Sequence, residues 1–488
     1  NKRLQEALQL MEKADYSPAI RILNQLLPLD PTDIAVLYQL GLAHLALGET
    51  EEAISHFTKS IQKDPSFAEG YNNRGSAYFE CNRNDLAKED YSRAIELKPE
   101  LAEAFYNRGN IRFAEKDYEG ALHDYTSAVK TDPKMSEAYN NRGTVHQILN
   151  QKDLAKTDFT RAIESNPKYI LALTNRAAIN KNLGKISDAI SDYTQALLHE
   201  PTDVSLTISR GIARRISSDF SAALEDFTRA IKLDPDLKDS YFQRGATWYE
   251  MGVRERKWGN VEEFKKAILD LSRASEGENP AAKTLRFRGK SYHRLGEVDQ
   301  AIKDLNRALE LKNDPLTLSA RGECYNTQQD FARALEDFNA ALEKSPQLIE
   351  ALVGRGITER EQGDLSSARA DLTRALELDE QNGEAYLQRG KLNLKEKELD
   401  RAHQDFTRSI ERIPKEPEAH LERGLLNNRL GRNDEALDDA NQSILLSRRN
   451  PKAHVLRGKC LRKRELYPQA VEALTEATEL DRKSIEPF

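Results

Sequence analysis

The stretch Tyr71-Asn72-Asn73-Arg74-Gly75 returns as Phe105-Tyr106-Asn107-Arg108-Gly109 and again as Tyr139-Asn140-Asn141-Arg142-Gly143, each copy 34 residues after the last. Taking the glycine as an anchor, the series extends through Ala7, Gly41, Gly75, Gly109, Gly143, Ala177, Gly211 and Gly245 without leaving that step. It resumes at Gly289, Gly322, Gly356, Gly390, Gly424 and Gly458, after one step of 44 and one of 33, which makes fourteen anchors. Self-similarity at a period of this length is the signature of stacked supersecondary units. Twelve residues after each anchor stands an alanine, from Ala19, Ala53 and Ala87 through to Ala436 and Ala470. Small residues at two fixed positions let two helix backbones approach closely.

An aromatic residue or leucine follows each alanine by four residues in most units, as at Phe57, Tyr91, Tyr125, Phe159, Tyr193 and Phe227. That spacing is one helical turn. Proline closes most units, at Pro31, Pro65, Pro99, Pro133, Pro167, Pro201, Pro235, Pro346 and Pro414, where it stops one helix and starts the next unit. This order of small, small, aromatic and proline resembles the tetratricopeptide repeat (TPR) family. The resemblance implies an all-α solenoid, a right-handed superhelix of about fourteen helix–turn–helix units whose first helices line a concave groove. We expect one continuous superhelix over residues 1–488. With the anchor numbered 8, the resemblance places positions 2, 5, 6, 9, 12 and 13 on that groove.

Two irregularities interrupt the period. The step of 44 implies ten extra residues within 253–266. They read as a lengthened first helix or turn, or as a contact element presenting Trp258. The chain starts at Asn1 and ends in Asp481-Arg482-Lys483-Ser484-Ile485-Glu486-Pro487-Phe488 with no clear capping helix, which leaves truncation at both ends open.

Composition agrees with a thin solenoid: 39% hydrophobic and 31% charged residues suit units that each bury one face. A net charge of −7 argues against nucleic-acid binding. No apolar run approaches a membrane span, so no membrane partner is expected. Cys81, Cys324 and Cys460 are odd in number and far apart, which implies no disulfide framework and fits a cytoplasmic or otherwise intracellular setting.

Position 7, usually leucine in the family, is arginine in twelve units, and position 23 is aspartate in eleven. The two occur together, as in Arg74 with Asp90, Arg108 with Asp124 and Arg142 with Asp158. Both lie equally far from the turn, so antiparallel helices set them side by side, where a bidentate pair fixes helix register. We read these pairs as structural.

No nucleophile elbow, HExxH, calcium loop or phosphate-binding loop occurs, and the nine histidines lack metal-ligand spacing. No catalytic residue, metal or cofactor is expected, and the chain reads as a non-enzyme. The two-carboxylate clamp by which some TPR domains grip a chaperone tail needs a Lys/Asn set that no three consecutive units supply.

Position 6 is asparagine in four successive units, Asn73, Asn107, Asn141 and Asn175, with Asn72 and Asn140 at position 5 and Asn110 at position 9. This resembles in part the asparagine ladder in the TPR groove of the O-linked N-acetylglucosamine transferases, where amides bind the backbone of an extended peptide. An amide donates and accepts at once. The resemblance makes these seven residues, with Tyr106 beside them, candidate peptide-binding residues; asparagine as a common family residue at position 6 is the other reading. Unit nine is basic on its inner face, with Lys283, Arg286, Lys290, His293 and Arg294 at helical spacing. These are expected to lie where they cannot neutralise one another and to attract an acidic segment. The function expected is a protein–protein interaction scaffold or adaptor binding extended segments in its groove. The alternative is the targeting arm of a larger enzyme whose catalytic domain lies outside these residues.

Overall fold

A computed structural model describes residues 2–255, 261–277 and 280–485. They form twenty-eight α-helices, and no strand occurs among the described residues. The chain divides into two compact units, Asn1–Ser217 and Ser218–Phe488.

The first unit opens with α1 (Lys2–Glu12), α2 (Tyr16–Leu26), α3 (Ile34–Ala46), α4 (Thr50–Lys63), α5 (Ala68–Glu80) and α6 (Asn84–Leu97). It continues through α7 (Ala102–Ala114), α8 (Tyr118–Thr131), α9 (Ser136–Ile148), α10 (Lys152–Ser165), α11 (Ile170–Asn182), α12 (Ile186–His199) and α13 (Val204–Ile216). The second unit begins with α14 (Phe220–Leu233), α15 (Lys238–Glu255), α16 (Val261–Ala274), α17 (Ala282–Arg294), α18 (Val298–Leu311), α19 (Pro315–Thr327) and α20 (Phe331–Lys344). It ends with α21 (Ile349–Gln362), α22 (Leu365–Leu378), α23 (Gly383–Lys395), α24 (Leu399–Arg412), α25 (Pro417–Arg429), α26 (Asn433–Leu446), α27 (Pro451–Lys463) and α28 (Tyr467–Ile485).

Within each unit, a repeat is an antiparallel pair of one odd-numbered and one even-numbered helix, such as α5 with α6 and α23 with α24, and each pair packs on the next. The odd-numbered helices of neighbouring repeats also touch one another, α3 with α5 and α5 with α7 in the first unit, and α19 with α21 in the second. They therefore form the inner face of each unit.

The fourteen alanines of the second small position are buried, thirteen of them fully and Ala470 at 4% exposure. The anchor glycine has a different reason. A Cβ at Gly75 would lie 2.9 Å from the Tyr91 ring, and one at Gly109 2.8 Å from the Tyr125 ring. The large side chain at position 24 occupies the space that a side chain at position 8 would need, so the small residue and the aromatic are two halves of one contact.

The arginine at position 7 is held on both sides. Arg108 donates from Nε and Nη2 to the Asp124 carboxylate at 2.9 and 2.7 Å, and Arg74, Arg142 and Arg176 do the same with Asp90, Asp158 and Asp192. In the second unit the same fork joins Arg244, Arg288, Arg321, Arg355, Arg389 and Arg423 to Asp270, Asp304, Asp337, Asp371, Asp405 and Asp439. The remaining nitrogen, Nη1, reaches back to the preceding repeat: Arg74 to Thr58 Oγ1, Arg108 to Ser92 Oγ, Arg244 to Thr228 Oγ1 and Arg321 to Asn306 Oδ1, at 2.7 to 3.2 Å. One guanidinium thus ties three helices together. Its five fixed donors suit it to this, and lysine has no equivalent geometry.

The ten-residue insertion is accounted for in part by helix. α15 is 18 residues long where most first helices have 13, and Gly252, at the place where other repeats turn, lies inside it. Trp258 lies outside the described residues. The register recovers at once, since Arg244 still pairs with Asp270 across 26 residues instead of 16. No described helix is long and apolar enough to cross a membrane.

Candidate functional site

The inner face of the first unit carries the asparagines. Asn73, Asn107, Asn141 and Asn175 are half-buried on α5, α7, α9 and α11. They are joined to their neighbours from repeat to repeat. Asn73 Nδ2 donates to the Tyr38 hydroxyl at 2.6 Å, and Asn107 Nδ2 donates to Asn72 Oδ1 at 3.4 Å. Asn141 Nδ2 donates to Asn110 Oδ1 at 3.0 Å and to the Tyr106 hydroxyl at 3.4 Å, and Asn175 Nδ2 donates to Asn140 Oδ1 at 3.0 Å.

Two of the sequence-derived candidates are corrected here. Asn72 and Asn140 are 3% and 2% exposed, so their side chains are buried instead of lying open on the inner face. The helix turns about 100° between successive residues, which puts position 5 inward when position 6 faces the groove. Their amides instead position the neighbouring row: Asn72 Nδ2 donates to Asn73 Oδ1 at 3.4 Å, and Asn140 Nδ2 donates to Asn141 Oδ1 at 3.2 Å. Asn110 is likewise engaged, its Oδ1 also accepting from the Tyr125 hydroxyl at 2.8 Å. Tyr106 packs its ring against Tyr125 and keeps its hydroxyl on the row.

Sequence reasoning missed Tyr38. Burial and the nearby Glu69 and Glu103 carboxylates push its hydroxyl above the usual tyrosine pKa, so it stays protonated. A signal existed: position 5 alternates Tyr38, Asn72, Tyr106 and Asn140 over four repeats, each supplying an oxygen to the position-6 amide of the next.

In the second unit, the basic face of α17 differs from expectation. Arg286 is paired with Asp314 at 3.0 Å, and Lys283 lies 3.6 Å from Asp239 and over the Phe242 ring. Lys290 sits over the Tyr249 ring, 5.4 Å from its centroid. His293 Nε2 is 2.7 Å from Thr327 Oγ1, and burial holds its pKa below the ordinary histidine value, so it is neutral at neutral pH. Arg294 is exposed. The five side chains do not neutralise one another, but adjacent repeats bring carboxylates to them, Asp239 and Asp314 at Lys283 and Arg286 and the Glu323 charge near Lys290, His293 and Arg294, which spacing within one helix could not reveal.

The repeats and their inner faces define a class of helical-repeat interaction proteins. Family models described as tetratricopeptide repeat or TPR repeat match residues 34–67, 75–115, 102–135, 136–169, 288–349, 353–417 and 398–454, together more than half of the chain. The chain belongs to the tetratricopeptide repeat family. By family and fold it is a protein-interaction scaffold, a class that is typically non-catalytic. Comparison with curated proteins returned no match. Among solved structures it is similar to YrrB, described as a TPR protein with an unusual peptide-binding site, at 25% identity over 38% of this chain and 95% of that one, with a TM-score of 0.35. It is also similar to the APC/C heterotetramer Cut9-Hcn1, at 15% identity over 98% and 93% of the two chains with a TM-score of 0.47. A third is yeast Tom70, at 16% identity over 81% and 96% with a TM-score of 0.39.

Proposed function

We propose that the chain is a non-enzymatic scaffold whose first unit holds an extended protein segment along Asn73, Asn107, Asn141 and Asn175. The observation that carries this reading is the cross-repeat bonding of the amide row. Each Nδ2 is anchored on an oxygen of a neighbouring side chain, so the amide planes are fixed before any ligand arrives. A half-buried amide held in this way still offers donor and acceptor capacity to a peptide backbone, which carries both kinds of group at regular intervals. Fixing the row in advance removes much of the ordering cost of binding. An uncharged row favours no particular side chain, so Tyr106 and the exposed Phe79 beside it supply side-chain selectivity.

The test is the quadruple variant Asn73→Ala, Asn107→Ala, Asn141→Ala, Asn175→Ala, assayed against a protein that the intact chain captures and that is identified by mass spectrometry. Neutral hydrogen bonds are each worth about 1 kcal/mol net, so loss of the row weakens binding at least about tenfold even if the four effects overlap. Unchanged affinity in a variant of normal helicity contradicts the reading.

A further inference from the structure

In the second unit, α17 and α27 each carry five lysines and arginines and no carboxylate. They differ in what faces them. Around α17, Asp304 of its own repeat and Asp239, Asp314 and Glu323 of neighbouring repeats meet the cations. Around the C-terminal half of α27 the acceptors are neutral or already engaged. Lys463 Nζ donates to Asn428 Oδ1 at 2.9 Å and to Asn433 Oδ1 at 3.0 Å, both uncharged. Arg457 stands at the position that forks to aspartate in other repeats, but Ala473 takes the place of that aspartate.

Lys459 and Arg462 are exposed and form no ion pair among the described residues, and neither does Arg429 at the end of α25. Of the carboxylates next to these cations in sequence, Asp434 is paired with Arg464 and Glu435 lies 4.0 Å from Arg432. Glu465, in the turn after α27, is left against four cations. The other end of α27 is balanced. There Glu418 and Glu422 of α25 are met by Lys391, Lys452 and Arg360, with Glu418 2.6 Å from Lys391. On the α28 side, Glu476 lies 2.9 Å from His454 Nδ1.

The surplus is therefore local. Lys459 and Lys463 are one helical turn apart and share a face of α27. On α25, which touches α27, Leu425 and Arg429 hold the positions that Lys459 and Lys463 hold one repeat later. Leu425 is 37% exposed and gives the basic patch an apolar contact. Clustered charge of one sign attracts its opposite and rejects its like, and a guanidinium can take a carboxylate through two parallel bonds.

We infer that the inner face of α25 and α27 docks an acidic protein segment, with Asp or Glu carboxylates against Arg429, Lys459, Arg462 and Lys463 and an apolar side chain on Leu425. The exposed leucine suits a peptide, which alternates charged and apolar side chains, better than a phosphate backbone. The proposal rests on the reading of inner faces as segment-binding surfaces and gives the second unit a ligand chemistry different from that of the amide row. It also moves the acidic partner expected at repeat nine to repeat fourteen, where the cations lack the carboxylates that α17 meets.

The probes are three fluorescent peptides of equal length in which leucine alternates with glutamate, lysine or serine, titrated by anisotropy into the full chain. The glutamate peptide binds about tenfold tighter than the serine peptide at low salt, and the margin shrinks as ionic strength rises from about 50 to about 300 mM. The triple variant Arg429→Gln, Lys459→Gln, Arg462→Gln, of equal helicity, removes that margin. A control triple, Arg93→Gln, Arg161→Gln, Arg307→Gln, changes the net charge equally on exposed even-numbered helices and keeps it. The quadruple alanine variant of the amide row keeps it as well. Equal binding of the three peptides, or a glutamate preference that survives the first triple or falls equally in the control, overturns the proposal and leaves the amide row to its own test. A short DNA duplex that binds tighter than the glutamate peptide, and loses that binding in the first triple alone, overturns the assignment of a protein segment.

Discussion

Asp124 is the most completely enclosed carboxylate of the arginine–aspartate series, with 0% exposure and contacts to Arg108 and to Arg112 Nη1, the latter at 3.0 Å. Removing it by Asp124→Ala strands two guanidinium groups and costs about 3 kcal/mol of local stability, read from hydrogen exchange of the α7 and α8 amides. An unchanged exchange pattern would mean that the pair is idle. Glu359 makes a different residue-scale prediction. Burial and the neighbouring Asp371 charge, only partly offset by Arg355, raise its pKa to about 7. The folded chain therefore binds this proton more tightly than the unfolded chain does. The contribution of Glu359 to stability is fully present below the unfolded pKa and is lost as pH rises through about 7. Glu359→Gln removes that decline between about pH 4.5 and 7, measured as the wild-type minus variant difference in denaturant midpoint. An unchanged pH profile in the variant contradicts the assignment. The arginine–aspartate pairing was legible in the sequence because both residue types recur at fixed positions. The third partner also recurs at one position, as Thr58, Ser92, Thr126, Thr160, Thr194 and Thr228 at steps of 34, but Thr, Ser and Asn there read as ordinary surface residues until the preceding helix is seen to face the guanidinium. Nor could the sequence separate Asn72 from Asn73, because only the rotation of the helix against its neighbours decides which of two adjacent amides is buried.

At the scale of the element, the turn between the paired helices shows what a repeat tolerates. The residue seven places after the anchor is left-handed in both units. It is glycine at Gly48, Gly184, Gly296, Gly363 and Gly431, but Lys116, Lys397, Glu465 and Ala14 adopt φ values of 64°, 63°, 62° and 58° at the same place. A side chain there costs about 1–2 kcal/mol before the greater freedom of unfolded glycine is set against it. Lys116→Gly and Lys397→Gly should therefore each stabilise their repeats by up to about 1 kcal/mol, seen as slower amide exchange in the flanking helices. Faster exchange would show that the lysine side chains hold the turn in some other way. This turn escaped sequence analysis because only some repeats spell it with glycine. Gly252 shows the converse: it occupies the equivalent place, yet α15 runs through it to Glu255, and a Cβ there would come within 3.0 Å of the Phe264 ring. That glycine serves close packing instead of a turn. A single-letter motif cannot distinguish the two uses.

At the scale of the whole molecule, the period of 34 continues unbroken from Gly211 to Gly245, so the boundary between the units at Ser217 and Ser218 leaves no trace in the repeat. The fold class was legible because fourteen copies repeat the same packing solution. The candidate sites were only partly so. The amide row was visible because it occupies one position in successive repeats, whereas Tyr38, which anchors its first amide, came to light only when the stacking of α3 on α5 was seen. The central claim is that a protein segment lies along the inner face of the first unit. It is tested most directly by placing a photo-crosslinking side chain at position 107, on the amide row, or at position 164, where Glu164 is exposed on the second helix of its repeat, and irradiating each variant with the captured partner. The account predicts adducts from position 107 that map to one contiguous segment of the partner, with little or none from position 164. Adducts of equal yield from both positions, or from position 164 alone, would contradict it.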